Sequence, residues 1–285
     1  APAPADRRPE RDMRVICAGD CGVDRYVGLG LDRPGGITLN VAANARETFA
    51  PGDEVLVLTA LGTDAESRLV RAALARLRLD GEIAERPGRT SVQYIDLDPS
   101  GEKRFLRYEA GVLAGWRPGD RQLRLVAAAD LLVMPVYRQI HGFFETMLSA
   151  PCGGLRAVDF LDLSDVDDPA GFVTRCAHRI DVAFFGLDAS HFALIDDLER
   201  IARRHHRLFV VTLGSHGSLA LGGPERLACP SVAAPRVVDT TGAGDSFAAA
   251  FLAEYWRSRD VPASLRSGAE HAARTIQHIG AFPWP

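Results

Sequence analysis

Asp239-Thr240-Thr241-Gly242-Ala243-Gly244-Asp245 is the stretch on which the reading of this chain turns. It follows strand-like apolar residues over Cys229 to Val237. It opens a helix over Ala243 to Trp256, where Phe247, Phe251, Leu252 and Tyr255 recur at helical spacing. Small residues at such a junction let the backbone turn sharply and approach a ligand closely. The N–H groups of Gly242, Ala243 and Gly244 then point at one spot, and the helix dipole adds positive potential there. The result is an anion hole suited to a phosphoryl group in transfer. Asp245, beside it, can take the proton of a hydroxyl that attacks the γ-phosphate. The plainer reading of the same carboxylate is a helix cap.

Outward from that junction the chain alternates strands and helices. Arg14-Val15-Ile16-Cys17-Ala18 is a short apolar strand ending at Gly19-Asp20, and a helical stretch follows near Leu39 to Phe49. Val55 to Ala60 is a second buried strand, and Leu69, Val70, Ala73, Leu74 and Leu77 give Glu66 to Leu77 a helical period. Further strands are expected at Asp130 to Met134, Leu155 to Phe160, Val182 to Phe185 and Leu208 to Leu213. This rhythm predicts a parallel, layered α/β fold. It breaks once. Thr90 to Leu97 alternates apolar and polar residues, Pro99-Ser100-Gly101 signals a turn, and Lys103 to Tyr108 reads as a second strand. A β-hairpin lid over about residues 90–108 is expected there, with one exposed face. Residues 1–12, rich in Ala, Pro and Arg, read as a disordered leader ahead of Met13, and residues 13–285 as one domain.

Composition narrows the classes. The 285 residues carry a formal net charge of -4, which marks no nucleic-acid footprint. No apolar run reaches the roughly 18 residues of a membrane span. Five scattered cysteines without C-x-x-C argue against structural zinc and a disulfide framework, and point to a reducing cytoplasm. A P-loop kinase is disfavoured by the lack of G-x-x-x-x-G-K-[ST]. A dinucleotide-binding dehydrogenase is disfavoured by the lack of G-x-G-x-x-G after the first strand.

Asp239 to Asp245 resembles the carboxyl-terminal signature of the PfkB, or ribokinase-like, carbohydrate kinases. Gly35-Gly36-Ile37-Thr38-Leu39-Asn40-Val41-Ala42 is similar to the amino-terminal one. Gly19-Asp20 with Asp24, Gly62-x-Asp64, and Thr212-Leu213-Gly214-Ser215-His216-Gly217 also fit, in the family's order. The resemblance implies a three-layer α/β/α sandwich with a small β-hairpin lid. It implies ATP-dependent phosphorylation of a sugar hydroxyl, with Asp245 as the base and Gly242, Ala243 and Gly244 as the anion hole. Asp24, Gly36 and Asn40 then hold the sugar, and Thr212, Gly214 and Gly217 border ATP. Mg²⁺ is implied through phosphates and water, a monovalent cation such as K⁺ near Asp239 and Thr241, and a homodimer through the lid. Without the family, Asp24 reads as a solvated turn residue, Asn40 as a helix N-cap or turn residue, and Thr212 to Gly217 as an ordinary strand exit.

One family motif is missing. The Asn-x-x-Glu that many relatives carry after the strand at Val182 to Phe185 falls here on Gly186 and Ala189, with Asp188 the nearest carboxylate. A non-catalytic sugar- or nucleotide-binding regulator stays open on that account, as do kinases for ribose, fructose, 2-keto-3-deoxygluconate or a nucleoside. The finer resemblance is to the fructoselysine 6-kinase subfamily. It is carried by Gly19 to Asp24, Tyr108 to Val112, Asp159-Phe160 with Ser164-Asp165, and Ala272 to Ala281. It implies a fructosyl-amine substrate, whose amine would seek a carboxylate such as Glu109. Asp159 is expected to face the cleft, and Asp162, Asp165, Asp167 and Asp168 to form a solvated loop.

Overall fold

Short apolar runs, too brief for helices, build the centre of the molecule. In the computed structural model, which describes residues 12–285, β1 (Arg14–Ala18) is the first of them. β2 (Gly22–Tyr26) and β3 (Leu31–Gly35) follow as an antiparallel pair, and α1 (Ile37–Thr48) leads to β4 (Glu54–Leu61), α2 (Ala65–Leu77) and β5 (Asp80–Glu85). β6 (Ser91–Leu97) and β7 (Lys103–Glu109) form a hairpin. Then come α3 (Asp120–Ala127), β8 (Leu131–Pro135), α4 (His141–Ser149), β9 (Leu155–Asp159), α5 (Pro169–Ala177), β10 (Val182–Gly186), α6 (Phe192–His205) and β11 (Leu208–Thr212). The chain closes with β12 (Ser218–Leu221), β13 (Leu227–Cys229), α7 (Ala243–Ser258) and α8 (Val261–Thr275). The leader expected over residues 1–12 lies outside the described residues, apart from Asp12.

Nine strands form the central sheet, in the order β13-β12-β11-β10-β9-β8-β1-β4-β5. From β11 to β5 every pair is parallel, and β12 and β13 are antiparallel additions at one edge. The two-residue period of a strand sorts its side chains into two cores. Val15 and Cys17 of β1 pack with Leu39, Val70, Phe251 and Leu265, from α1, α2, α7 and α8. Ile16 and Ala18 pack with Val126, Phe143, Phe172 and Leu198, from α3, α4, α5 and α6. This is the three-layer α/β/α sandwich. Each large side chain buried this way contributes about 1.5–3 kcal/mol, so both faces of the sheet are committed to helices. Caps set where helices begin: Asp64 accepts from Ser67 N (3.0 Å) ahead of α2, and Asp260 from Ala263 N (2.9 Å) ahead of α8. Among the described residues, no helix is long and apolar enough to cross a membrane.

The second sheet is larger than expected. β6 and β7 pair as a hairpin, but β2 and β3 join them in the order β3-β2-β6-β7. Asp24, read alone as a turn residue, lies in β2. Register aligns Asp24 with Gln93 and Gln93 with Tyr108, and Gly22 with Ser91, so these side chains share one face.

The strand expected over Cys229 to Val237 is also corrected. Only Leu227–Cys229 pairs, and the chain from 230 to 242 is irregular. Pro230 and Pro235 have no N–H to give a ladder, and Val232 and Val237 are exposed, so no face is buried.

Candidate active site

The carboxyl ends of β1, β8, β9, β10 and β11 point to one edge of the central sheet, where α/β folds open a crevice. The aligned face of the small sheet stands opposite, and together they enclose a cleft of about 430 Å³. Asp245 lies in it. α7 is capped by Gly242, and no N–H of that helix is held by the Asp245 carboxylate. Instead Asp245 Oδ2 accepts from Asn40 Nδ2 at 2.8 Å. The capping reading of Asp245 therefore fails, and the carboxylate is left facing the cleft. Burial pushes its pKa up to about 8; the nearby Asp159 carboxylate adds to this, and the Asn40 hydrogen bond opposes it.

Asn40 comes from α1, and its placement depends on a long-range cap. Gly36 sits at φ 94° and has no side chain to offer the helix. Asp20, at the end of β1, reaches across and accepts from Ile37 N (3.1 Å) and Thr38 N (3.3 Å). A Cβ on Gly36 would stand 2.8 Å from Asp20 O, so glycine is needed for that approach. Asn40 is therefore not an N-cap but an interior helix residue, its own N–H donated to Gly36 O (2.9 Å). Its Oδ1 is buried with no partner. Asp24 packs against Gly35, where a Cβ would meet its Oδ2 at 2.1 Å. Burial, with Asp245, Asp20 and Asp239 around it, holds the Asp24 carboxyl well above the usual carboxylate range. Asp24, Gly36 and Asn40 thus line one wall together.

The glycine loop departs from expectation at one atom. The N–H of Ala243 is donated to Thr240 O (3.3 Å), closing the turn. Those of Gly242 and Gly244 meet no acceptor among the described residues, and both residues line the cleft. Gly242 sits at φ 76°, and a Cβ there would stand 2.1 Å from Ala281 Cβ. We expect Gly242→Ala to lower the unfolding free energy by about 2–5 kcal/mol, from positive-φ strain and overlap together. An unchanged urea midpoint would mean that the 280–282 segment yields freely. Asp239 anchors the loop from beneath, accepting from Tyr26 OH (2.5 Å), Gly280 N (2.8 Å) and Thr241 N (2.8 Å). Thr241 Oγ1 is buried without a partner.

Of the expected ATP residues, Thr212 lines the cleft, but Gly214 and Gly217 do not. They form the turn after β11, at φ 56° and 90°. A Cβ on Gly217 would stand 2.2 Å from Cys229 O. Asp159 faces the cleft as expected, its pKa pushed up to about 6 by burial. Asp162 and Asp165 line it too, rather than forming a purely solvated loop, while Glu109 is drawn away to Arg107 (3.0 Å) and Arg89 (3.8 Å). Gly186 lines the cleft; Asp188 does not, and it accepts from Ser190 N at 2.8 Å.

Several lining residues escaped the sequence reading. Ser91 and Gln93 carried a signal in the alternation of β6. Tyr137, whose hydroxyl meets that of Tyr108 at 2.8 Å, carried none. Lys103 carried a different one, its rarity. Among the described residues no group of three metal-ligating side chains forms a metal site.

Comparison with known proteins gives the chain relatives in sequence and in fold. Residues 183–284 match the model of the pfkB family carbohydrate kinases. The fructoselysine 6-kinase of Shigella flexneri is 31% identical over 268 residues, covering 93% of this chain and 97% of that protein. The fructosamine kinase of Bacillus subtilis is 29% identical over 279 residues, covering 95% and 93%. Among solved structures, Arabidopsis thaliana ribokinase complexed with ribose and ATP superposes with a TM-score of 0.77 at 20% identity, covering 95% of this chain and 96% of that one.

Proposed function

Because the chain belongs to the pfkB family of carbohydrate kinases, we propose that it moves the γ-phosphoryl group of ATP to the 6-hydroxyl of a fructosyl amine, with Asp245 as the base. The observation that carries this reading is a buried carboxylate, held by Asn40 and free of its own helix, beside the unpaired N–H groups of Gly242 and Gly244. The substrate hydroxyl gives its proton to Asp245 while its oxygen forms the new bond to the γ-phosphorus. The bond from that phosphorus to the bridging oxygen breaks, and its electron pair leaves with ADP. Gly242 and Gly244 meet the charge on the transferring group. Asp24, Gly36 and Asn40 hold the sugar, and Thr212 borders the nucleotide, with Gly214 and Gly217 shaping the adjoining turn. The small sheet acts as a lid that excludes water.

Mg²⁺ fits as a partner of the nucleotide phosphates and water rather than of a protein cage. It would supply charge neutralisation between the phosphates. Thr241 Oγ1 and the remaining lone pairs of Asp239 support a monovalent cation such as K⁺ beneath the loop. The fructosyl-amine class is supported by the two relatives near 30% identity and by Asp159, Asp162 and Asp165, which offer an amine the carboxylates that Glu109 does not.

The test is ADP release from MgATP with fructoselysine, other fructosyl amino acids, fructose, ribose, 2-keto-3-deoxygluconate and adenosine. We expect kcat/KM for a fructosyl amine to exceed that for fructose by about 10²-fold, the upper scale of one hydrogen bond to a charged group. Turnover with another sugar alone would keep the kinase and discard the amine. No turnover with any, by a folded protein that binds ATP, would favour a binding protein.

A further inference from the structure

α1 carries two buried amides one turn apart, and both reach out of the helix. Asn40 donates to Asp245 Oδ2 at 2.8 Å, and Asn44 Nδ2 donates to Ala281 O, in the segment after α8, at 3.2 Å. Around them Leu39, Val41, Ala42, Ala43 and Ala45 are apolar and share a core with Phe247 and Phe251 of α7 and Leu265 of α8. An amide buried in such a layer is costly unless its polar atoms are paired. Asn44, 3% exposed, has both of them paired. Nδ2 also donates to Asn40 O (2.8 Å), and Oδ1 meets His271 Nε2 (2.9 Å).

His271 of α8 is buried too, and its other neighbour fixes its roles. Arg274 Nη2 lies on His271 Nδ1, and a guanidinium can only donate. Nδ1 therefore accepts, the ring proton sits on Nε2, and Nε2 donates to Asn44 Oδ1. That leaves Asn44 Nδ2 for the two carbonyls. Burial first, and then the Arg274 charge, hold the ring's pKa down at about 4, so the imidazole is neutral at pH 7. Donor and acceptor agree at every step from Arg274 to Ala281.

This chain of bonds ties together the parts of the site. The segment 276–281 supports the glycine loop: Val238 N donates to Ile276 O (2.8 Å), Gly280 N donates to Asp239 Oδ2 (2.8 Å), and Ala281 stands against Gly242. The loop leads into Asp245, and α1 carries Asn40. Apolar packing is non-directional, so it does not by itself fix one helix along another. The Asn40 bond alone would leave α1 free to pivot about it. A second polar contact one turn further along sets the register.

We propose that Asn44 and His271 are positioning residues, whose hydrogen bonds fix the register of α1 against the glycine loop, α7 and α8, and so keep Asp245 on Asn40 and beside the N–H groups of Gly242 and Gly244. Neither residue lines the cleft. The effect on turnover rests on the phosphotransferase reading above; the effect on Asp245 itself does not.

Two variants test it. Asn44→Leu/His271→Leu removes both partners together, so neither is left buried and unpaired, and it should unfold near the wild-type urea midpoint. His271→Gln keeps a donor for Asn44 Oδ1 and an acceptor for Arg274. The first measurement needs no turnover. The ¹³Cγ resonance of Asp245, identified by its absence in Asp245→Asn, is titrated in each protein. The Asn40 bond opposes the upward shift of the Asp245 pKa. Loosening it should raise the midpoint by about half to one pH unit in the double variant, the scale of one hydrogen bond, and His271→Gln should leave it in place. Asp20, Asp24, Lys103 and Asp159, the charged groups facing this cluster from β1, β2, β7 and β9, are the same in all three proteins. A midpoint that stays or falls in the double variant overturns the proposal, and so does an equal rise in His271→Gln. His271→Leu alone takes the double variant's place should that one not fold. In sugar-dependent ADP release the double variant should lose about tenfold or more in kcat, with KM for ATP within about threefold, since a misplacement of about 1 Å can cost about 10²-fold. Wild-type kcat in the double variant also overturns it. An inactive wild type beside a raised midpoint counts against the kinase reading alone.

Discussion

Asp245→Asn is expected to cut turnover by about 10²-fold or more while leaving the fold and ATP binding intact, the scale of a lost general base. The substitution is close to isosteric, and its amide oxygen can still accept from Asn40 Nδ2, so the contact that orients the side chain survives. What disappears is the ability to take a proton. The same role shapes the pH dependence. The pKa of Asp245 is pushed up to about 8, so at pH 7 most molecules hold the base protonated. In wild type, kcat/KM should climb about tenfold per pH unit below that value and level off above it, since kcat/KM reports the free enzyme. The residual activity of Asp245→Asn should lack that limb. A variant that keeps near-normal turnover would remove Asp245 from the mechanism, and a flat wild-type profile between pH 6 and 9 would do the same for its ionisation.

The same substitution should make the ligand-free protein more stable at alkaline pH. In the unfolded chain an aspartate loses its proton near about 3.9; in the native protein Asp245 keeps it to about 8. Between those values the native state binds more protons than the unfolded state, so the unfolding free energy falls as pH rises. The contribution is fully present below the unfolded pKa and lost as pH passes through the folded one. Asp20, Asp24 and Asp159 are shifted in the same direction by burial, so the slope is shared among several groups. Asparagine removes the share of Asp245. At pH 8.5 the variant should exceed wild type by roughly 2–5 kcal/mol in urea unfolding, with the gap closing towards pH 4. Parallel pH profiles for the two proteins would show that the native site solvates this carboxylate after all. The expected pairing of lost turnover with gained stability is the signature of a charge buried for function.

Local features were readable without coordinates. The run from Asp239 to Asp245 is contiguous, and its meaning depends on small residues next to a helical period, both visible in one dimension. The buried strands and most helices were legible for the same reason, since a two-residue or 3.6-residue period is a property of neighbours. β2 and β3 were not. They carry Gly, Pro, Asp and Arg, and become strands only by pairing with each other and, for β2, with β6. The state of Asp24 was equally hidden, because it depends on carboxylates from β1 through α7 converging on one cleft. Tertiary structure also decided which residues line the cleft: it turned Asp162 and Asp165 inward, drew Glu109 into ion pairs with arginines, engaged the Ala243 N–H within its own turn, and carried Lys103 to the glycine loop. The sequence by itself determined the make-up of the glycine loop and the layering of the sheet, because both arise from short-range pattern. The electrostatics of the cleft came only with folding, because charge and burial depend on distances between residues far apart in the chain.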